Sequence, residues 1–105
     1  MKKLLFTITT LSIFSSHVVH ASPMVRVKAL GSSPRGQYVA FEEFGYKDGQ
    51  RIPYSKIRVR NMWKNRYEGK AISVIGNKRT DRLNVVRDKA KDLATKKLKE
   101  FNITT

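Results

Sequence analysis

Three acidic residues stand close together in the sequence and are the first candidates for chemistry: Glu42, Glu43 and Asp48. Hard cations prefer carboxylate oxygens, and paired carboxylates also serve as general acids and bases. With Tyr54 they could form a cation or ligand site across a hairpin. Adjacent strand residues point to opposite faces of a sheet, however, so Glu42 and Glu43 cannot easily chelate one ion. The alternative is structural, with one glutamate paired to a cross-strand basic residue such as Arg58 or Arg60.

A second group of candidates is basic. Lys56, Arg58 and Arg60 alternate with apolar residues, so they are predicted to form a row on one strand face, about 6–7 Å apart. Lys64, Arg66 and Lys70 are expected to extend the row through the following turn. Aromatic residues that could add stacking surfaces lie among them: Tyr38, Tyr54, Trp63 and Tyr67.

Such a basic row predicts an anionic partner, which could be an envelope polyanion, an acidic lipid or a nucleic acid. A protein partner is a further hypothesis. The alternative is that the basic residues only keep the protein soluble and protect a sheet edge from pairing.

Other chemistry is limited by composition. The chain has no cysteine, and both histidines, His17 and His20, lie within the first 21 residues. The remainder therefore lacks imidazole acid–base catalysis, thiol nucleophiles and nearly all zinc or copper sites. We expect no metal and no cofactor, and the sequence favours binding over catalysis.

The first 21 residues have the layout of a secretory signal peptide. Lys2 and Lys3 precede an apolar stretch over 4–14, and Val19, His20 and Ala21 fit a cleavage site. Cleavage after Ala21 would remove two lysines and lower the formal net charge from +14 to +12. The alternative is an uncut anchor, but the stretch is short and hydroxyl-rich for about 30 Å of hydrocarbon. We therefore predict an exported protein, periplasmic or secreted, whose single small domain over 22–105 folds without disulfides.

Strand-like alternation of apolar and polar residues extends over 24–30, 37–44 and 54–63, with a shorter segment over 70–75. Turn residues such as Pro34, Gly36, Asp48 and Gly49 separate these segments. The short connections predict an antiparallel β-meander of three to four strands over 22–76.

The period changes over 80–102, where apolar residues recur at spacings of three and four: Leu83, Val86, Ala90, Leu93, Ala94, Leu98 and Phe101. This stripe predicts a long helix packed on one face of the sheet, with Leu93 buried between them. Thr80 or Asp81 is expected to cap its start and Asn102 its end, while the last two residues fray. The predicted fold class is α+β, and a basic helix lying on a membrane is the alternative.

A long run of residues between 30 and 63 matches a known signature: Ser33, Pro34, Gly36, Tyr38, Ala40, Phe41, Glu42, Glu43, Gly45, Asp48, Gly49, Pro53, Tyr54, Ser55 and Ile57. It resembles the SPDG-x-Y-x-AFEE-x-G-x-x-DG-x-x-x-PYS-x-I pattern of a family of secreted bacterial proteins of unknown function. Arg35 stands where that family has Asp, and the chain resembles only the N-terminal half of its longer members. The shorter SPxGxYVAF core is similar to one blade of a TolB-type β-propeller.

The resemblance implies export and a blade-like meander, and it supplies no catalytic residues. We therefore expect a non-enzymatic exported binding module with a basic surface for an anionic partner. The alternative is a small secreted effector that acts in a host. An enzyme that uses Glu42, Glu43 and Asp48 is the least favoured hypothesis.

Overall fold

The computed structural model of the chain describes residues 25–47, 51–77 and 81–105. Within these ranges, five antiparallel strands form one sheet and a helix packs on one of its faces. The elements are β1 (Val25–Ser32), β2 (Tyr38–Tyr46), β3 (Pro53–Asn61), β4 (Arg66–Tyr67), β5 (Ile72–Ile75) and the helix (Leu83–Glu100). The predicted α+β meander with a C-terminal helix is confirmed. The predicted signal peptide, Asp48, Gly49 and Thr80 lie outside the described residues.

The sheet order is β1-β2-β3, and β4 and β5 share the far edge of β3. β4 pairs with the end of β3, where Arg60 faces Tyr67, and β5 pairs with its beginning, where Ile57 faces Ile72. Between them, the Glu68 N–H donates to the Val59 carbonyl at 2.8 Å, so hydrogen bonding continues along this edge. The predicted fourth strand over 70–75 is β5, whereas β4 is an additional short strand within the segment that was predicted as a turn. The two strands occupy a single position in the sheet.

The core lies between the helix and the alternate residues of β2 and β3. On the helix, Val86, Ala90, Ala94 and Leu98 are buried, and both alanines are fully so. Small side chains at these positions let the helix approach the sheet closely. Leu93 is 57% exposed, so the prediction that it is buried is wrong. The helix is rotated so that the flank carrying Arg87, rather than the flank carrying Leu93, meets the sheet.

The two ends of the helix are fixed differently. Its N-cap residue is Arg82, with no side-chain hydrogen bond, whereas the Asp81 carboxylate accepts the Asn77 N–H at 2.6 Å. The predicted cap at Asp81 is therefore wrong. At the other end, Asn102 has a φ of 58° and its N–H donates to the Lys99 carbonyl at 3.0 Å. The C-cap residue is Phe101 rather than the predicted Asn102, which follows it in the left-handed conformation and helps to end the helix.

The residues after the helix continue onto the sheet. The Ile103 N–H donates to the Leu98 carbonyl at 2.9 Å, which completes a Schellman motif with both apolar side chains buried. Thr104 then forms a bridge with Ser32 on β1, so the prediction that it frays is wrong. The tail crosses Gly31 so closely that an added Cβ would lie 2.1 Å from the Thr104 oxygen. Glycine at this position is what allows the crossing.

Leu98 and Leu93 provide a test of the helix rotation. Leu98→Ala should lower the free energy of unfolding by about 2–5 kcal/mol, because it leaves a cavity in the core. Leu93→Ala should change it by less than about 0.5 kcal/mol, because the side chain is mostly exposed. Urea unfolding followed by circular dichroism measures both. Equal losses would show that the two leucines are buried alike.

Candidate functional site

The sheet face opposite the helix, called the open face below, carries the basic row. Its residues come from all five strands: Val25, Val27, Val39, Phe41, Glu43, Tyr54, Lys56, Arg58, Arg60, Tyr67, Ser73 and Ile75. The helix covers only the other face. Val27 and Ile75 are 68% and 58% exposed, so the open face mixes apolar surface with cations.

Arg58 and Arg60 share an aromatic neighbour, Tyr67. Their guanidinium carbons lie 5.1 and 4.7 Å from the centroid of the Tyr67 ring, and Arg60 also donates a hydrogen bond to Asn65 Oδ1. Neither arginine is in a salt bridge with any residue that the structure describes. The ring and the amide therefore position two cations side by side without neutralising them.

Lys56 lies in a different electrostatic setting. It faces Glu43 directly across the β2–β3 ladder. The Glu43 carboxylate accepts the Tyr54 hydroxyl at 2.8 Å, and burial together with this bonded carboxylate raises the pKa of Tyr54 to about 12. A negative charge therefore stands beside Lys56, and the positive potential of the open face is centred on Arg58 and Arg60.

The structure separates Arg66 and Lys70 from the row. Arg66 pairs with Asn61, which is buried on the helix side, so Arg66 also belongs to that face. Its guanidinium Nε lies 3.8 Å from the Glu68 carboxylate. Lys70 follows β4 outside any strand, and its carbonyl accepts the Lys97 ammonium at 2.7 Å. The structure thus groups Lys56, Arg58 and Arg60 but places the predicted extension elsewhere.

Glu42 occupies the opposite face and is fully buried. Arg87 donates two hydrogen bonds to its carboxylate, Nε to Oε2 and Nη2 to Oε1, both at 2.9 Å. Ser55 Oγ donates to Oε2 at 2.8 Å, and the Arg87 guanidinium carbon lies 3.6 Å from the Phe44 ring centroid. Burial alone would raise the pKa of Glu42, but these hydrogen bonds and the charges of Arg87 and Lys91 hold it below its ordinary value.

This geometry decides between the two interpretations of the glutamates. Glu42 and Glu43 point to opposite faces, as strand geometry predicts, so they share no site. The predicted pairing with Arg58 or Arg60 is wrong, because Glu42 faces the helix and Glu43 bonds Tyr54. Within the three described ranges, no three metal-ligating side chains come together.

The signature residues that the structure describes stabilise the fold. Ser33 Oγ accepts the Tyr38 N–H at 3.0 Å, the Gly36 N–H donates to the Ser33 carbonyl, and Gly36 has a φ of 74°. These contacts shape the β1–β2 turn, in which Pro34 is exposed. Ser55 belongs to the Glu42 network, Pro53 is buried at the start of β3, and Phe41 lies on the open face.

The sequence analysis missed Arg87, and it named Tyr67 only as a possible stacking surface rather than as a neighbour of the two arginines. Arg87 could have been found because Glu42 shares a core-facing alternation with Ala40 and Phe44, and a buried carboxylate requires a cation. Arg87 directly follows Val86, which belongs to the apolar stripe of the helix. The contact of Tyr67 with Arg58 and Arg60 gave no comparable signal, because it depends on a turn whose length fixes the pairing of β3 and β4.

No protein-family model, curated protein or solved structure matches the chain. The resemblance to the secreted family and to a propeller blade therefore stays a prediction. The helix in the described part of the chain lacks the hydropathy needed to cross a bilayer.

Removing one partner of the buried ion pair is expected to destabilise the protein more than removing the charge of the other. Arg87→Ala should lower the free energy of unfolding by about 3–5 kcal/mol, because it strands a fully buried carboxylate. Glu42→Gln should cost less, about 1–3 kcal/mol, because the Arg87 side chain is 23% exposed and can turn to water. Denaturant unfolding at pH 7 compares them. A larger loss for Glu42→Gln would contradict the assignment of Glu42 as the buried partner.

The same pair makes stability depend on pH. Because the folded-state pKa of Glu42 lies below its ordinary 4.5, its stabilisation is present above that value and is lost as the pH falls below it. Stability of the wild-type protein should therefore decline more steeply than that of Glu42→Gln over this acidic range. Thermal melts of both proteins at a series of pH values measure the difference. If the stability of the two proteins declines in parallel, carboxylates other than Glu42 cause the loss of stability at acidic pH.

Proposed function

We propose that the chain is an exported, non-enzymatic binding module whose open face receives an anionic partner. The observation that carries the proposal is the pair of guanidinium groups at Arg58 and Arg60, held against Tyr67 with no carboxylate partner in the described residues. A guanidinium that lies on a ring keeps N–H groups at its edge for an incoming phosphate, sulfate or carboxylate.

Preorganisation supports this role. Tyr67 and the Asn65 amide already restrict the two arginine side chains, so less conformational entropy is lost when an anion binds. The chain's formal net charge of +14, or +12 without Lys2 and Lys3, adds a long-range field that attracts polyanions. The proposed site at Arg58 and Arg60 therefore lies on a protein whose net positive charge also attracts anions from a distance.

The acidic residues favour binding over catalysis. Among the described residues, Arg87 and Ser55 donate the hydrogen bonds that the Glu42 carboxylate accepts, and the pKa of Glu42 is lowered. A carboxylate with a lowered pKa is a poor general acid or base near neutral pH. Glu43 is engaged by Tyr54, whose raised pKa keeps that phenol protonated. For export, the support is the leader-like composition of the first 21 residues.

The basic row should dominate binding to a soluble polyanion. In the Lys56→Gln, Arg58→Gln, Arg60→Gln variant, heparin affinity should fall and the slope of log affinity against log salt should decrease by about 2–3. Heparin titration at several salt concentrations measures this slope. All three side chains lie on the open face away from the core, so the fold should persist.

A charge-matched control separates a site from a diffuse field. Lys89→Gln, Lys96→Gln, Lys99→Gln removes the same charge from exposed positions on the helix. It should retain most of the heparin affinity and the salt slope. Equal loss in the two triple variants would show that net charge alone attracts the polyanion.

A further inference from the structure

The turn between β3 and β4 presents two apolar side chains to solvent. This segment, residues 62–65, is called the Trp63 turn below. Trp63 is 61% exposed, and Met62, its neighbour in sequence, is 47% exposed. Contiguous exposed apolar surface that is rimmed by polar residues is a feature of protein and membrane interaction sites.

The Trp63 turn is held rigidly in this exposed form. Asn61 is 1% exposed, and its Oδ1 accepts the Trp63 N–H at 3.2 Å and the Lys64 N–H at 3.0 Å. Its Nδ2 donates to Glu68 at 3.0 Å, which fixes the amide. Asn65 has a φ of 56°, in the left-handed region, and accepts a hydrogen bond from Arg60. The exposure of Trp63 is therefore built into the backbone of the turn.

Cations surround these apolar side chains. Lys64 lies within the turn, Arg60 and Arg66 flank it, and Arg66 is partly balanced by Glu68 at 3.8 Å. The β1–β2 turn lies at the same end of the sheet, because the Met62 N–H donates to the Gln37 carbonyl at 2.7 Å. That turn contributes the exposed Arg35.

We propose that the Trp63 turn docks on a lipid bilayer that carries anionic headgroups. Trp63 and Met62 enter the interfacial layer, where an indole ring is favoured by its apolar body and polar N–H. Arg35, Arg60 and Lys64 contact the headgroups, with an affinity gain of about fivefold for each cation near the surface. This inference rests on the proposed function, since it names the source of the anion.

The arrangement fits a bilayer better than a nucleic acid. Bases stack on aromatic side chains across a flat sheet face, but Tyr67 on the open face is already beside two guanidinium groups. Trp63 instead lies on a convex turn, next to Met62, which has no ring to stack. Glu43 also faces Lys56 at one end of the basic row, so only Arg58 and Arg60 of that row lack a facing carboxylate among the described residues, and the Tyr67 ring beside them already contacts both guanidinium groups.

The chain contains one tryptophan, so its fluorescence reports on this turn alone. Adding vesicles of phosphatidylcholine with phosphatidylglycerol to the full chain should shift Trp63 emission to shorter wavelength. Brominated lipids should then quench it. Vesicles of phosphatidylcholine alone, heparin or a single-stranded oligonucleotide should leave the wavelength unchanged. A shift caused by the oligonucleotide would reassign the turn to nucleic acid and overturn the proposal.

Vesicle sedimentation tests the residues, and all variants share the same residues 1–24, so differences between them report on the turn. Met62→Ala with Trp63→Ala should weaken binding to anionic vesicles about tenfold or more. The matched control, Val85→Ala with Leu93→Ala, removes two exposed apolar side chains from the helix and should bind as wild type. Lys64→Gln should cost about fivefold, whereas Lys56→Gln, beside Glu43, should cost little. Equal loss in the two alanine pairs would overturn the proposal.

The two proposals fail in different ways. If heparin binding depends on the basic row but anionic vesicles do not shift Trp63 emission, the anionic partner is retained and the bilayer is rejected. If neither heparin nor anionic vesicles bind, both proposals are rejected. Circular dichroism melts of each variant establish that the fold is intact, as the exposure of Trp63 and Met62 leads us to expect.

Discussion

A carboxylate enclosed by protein must be paired, and Glu42 meets this requirement through Arg87. The pairing joins the middle of β2 to the first turns of the helix across 45 positions of sequence. Arg87 and Leu93 are each three residues from Ala90, so they lie on opposite flanks of the apolar stripe. Only one flank can face the sheet, and the demand of Glu42 explains why Arg87 is inside and Leu93 is exposed.

The position of the helix then determines which surface is available for binding. With the helix on one face, no other described element covers the opposite side of the strands, and the alternation of β3 places Lys56, Arg58 and Arg60 there. The same end of β3 continues into the Trp63 turn, whose backbone is fixed by the buried Asn61. The buried Asn61 on the core face therefore holds the backbone of the exposed Trp63 turn in place.

Local pattern predicted much of this arrangement. The alternation of β3 correctly placed Lys56, Arg58 and Arg60 on one strand face, and the change of period located the helix to within a few residues. The rotation of the helix was not predictable from its own stripe, because that stripe allowed Leu93 to be buried. Predicting the rotation required the knowledge that the buried Glu42 carboxylate on β2 pairs with Arg87 on the helix.

The candidate site was predictable only along a single strand. Arg58 and Arg60 share a face because they are two apart in β3, whatever the rest of the chain does. Arg66 left that face because residues 62–65 form the turn, which pairs Asn61 with Arg66 and Arg60 with Tyr67. A pairing register of this kind depends on turn geometry, which alternation alone does not encode.

The central claim is that the contact between Glu42 and Arg87, and not apolar burial alone, fixes the helix on the sheet. A double-mutant cycle with Glu42→Ala, Arg87→Ala and the double variant measures their coupling free energy directly from denaturant unfolding. The account predicts a coupling of about 2–3 kcal/mol, with the double variant less destabilised than the sum of the single ones. A coupling below about 0.5 kcal/mol, typical of an exposed ion pair, would contradict it.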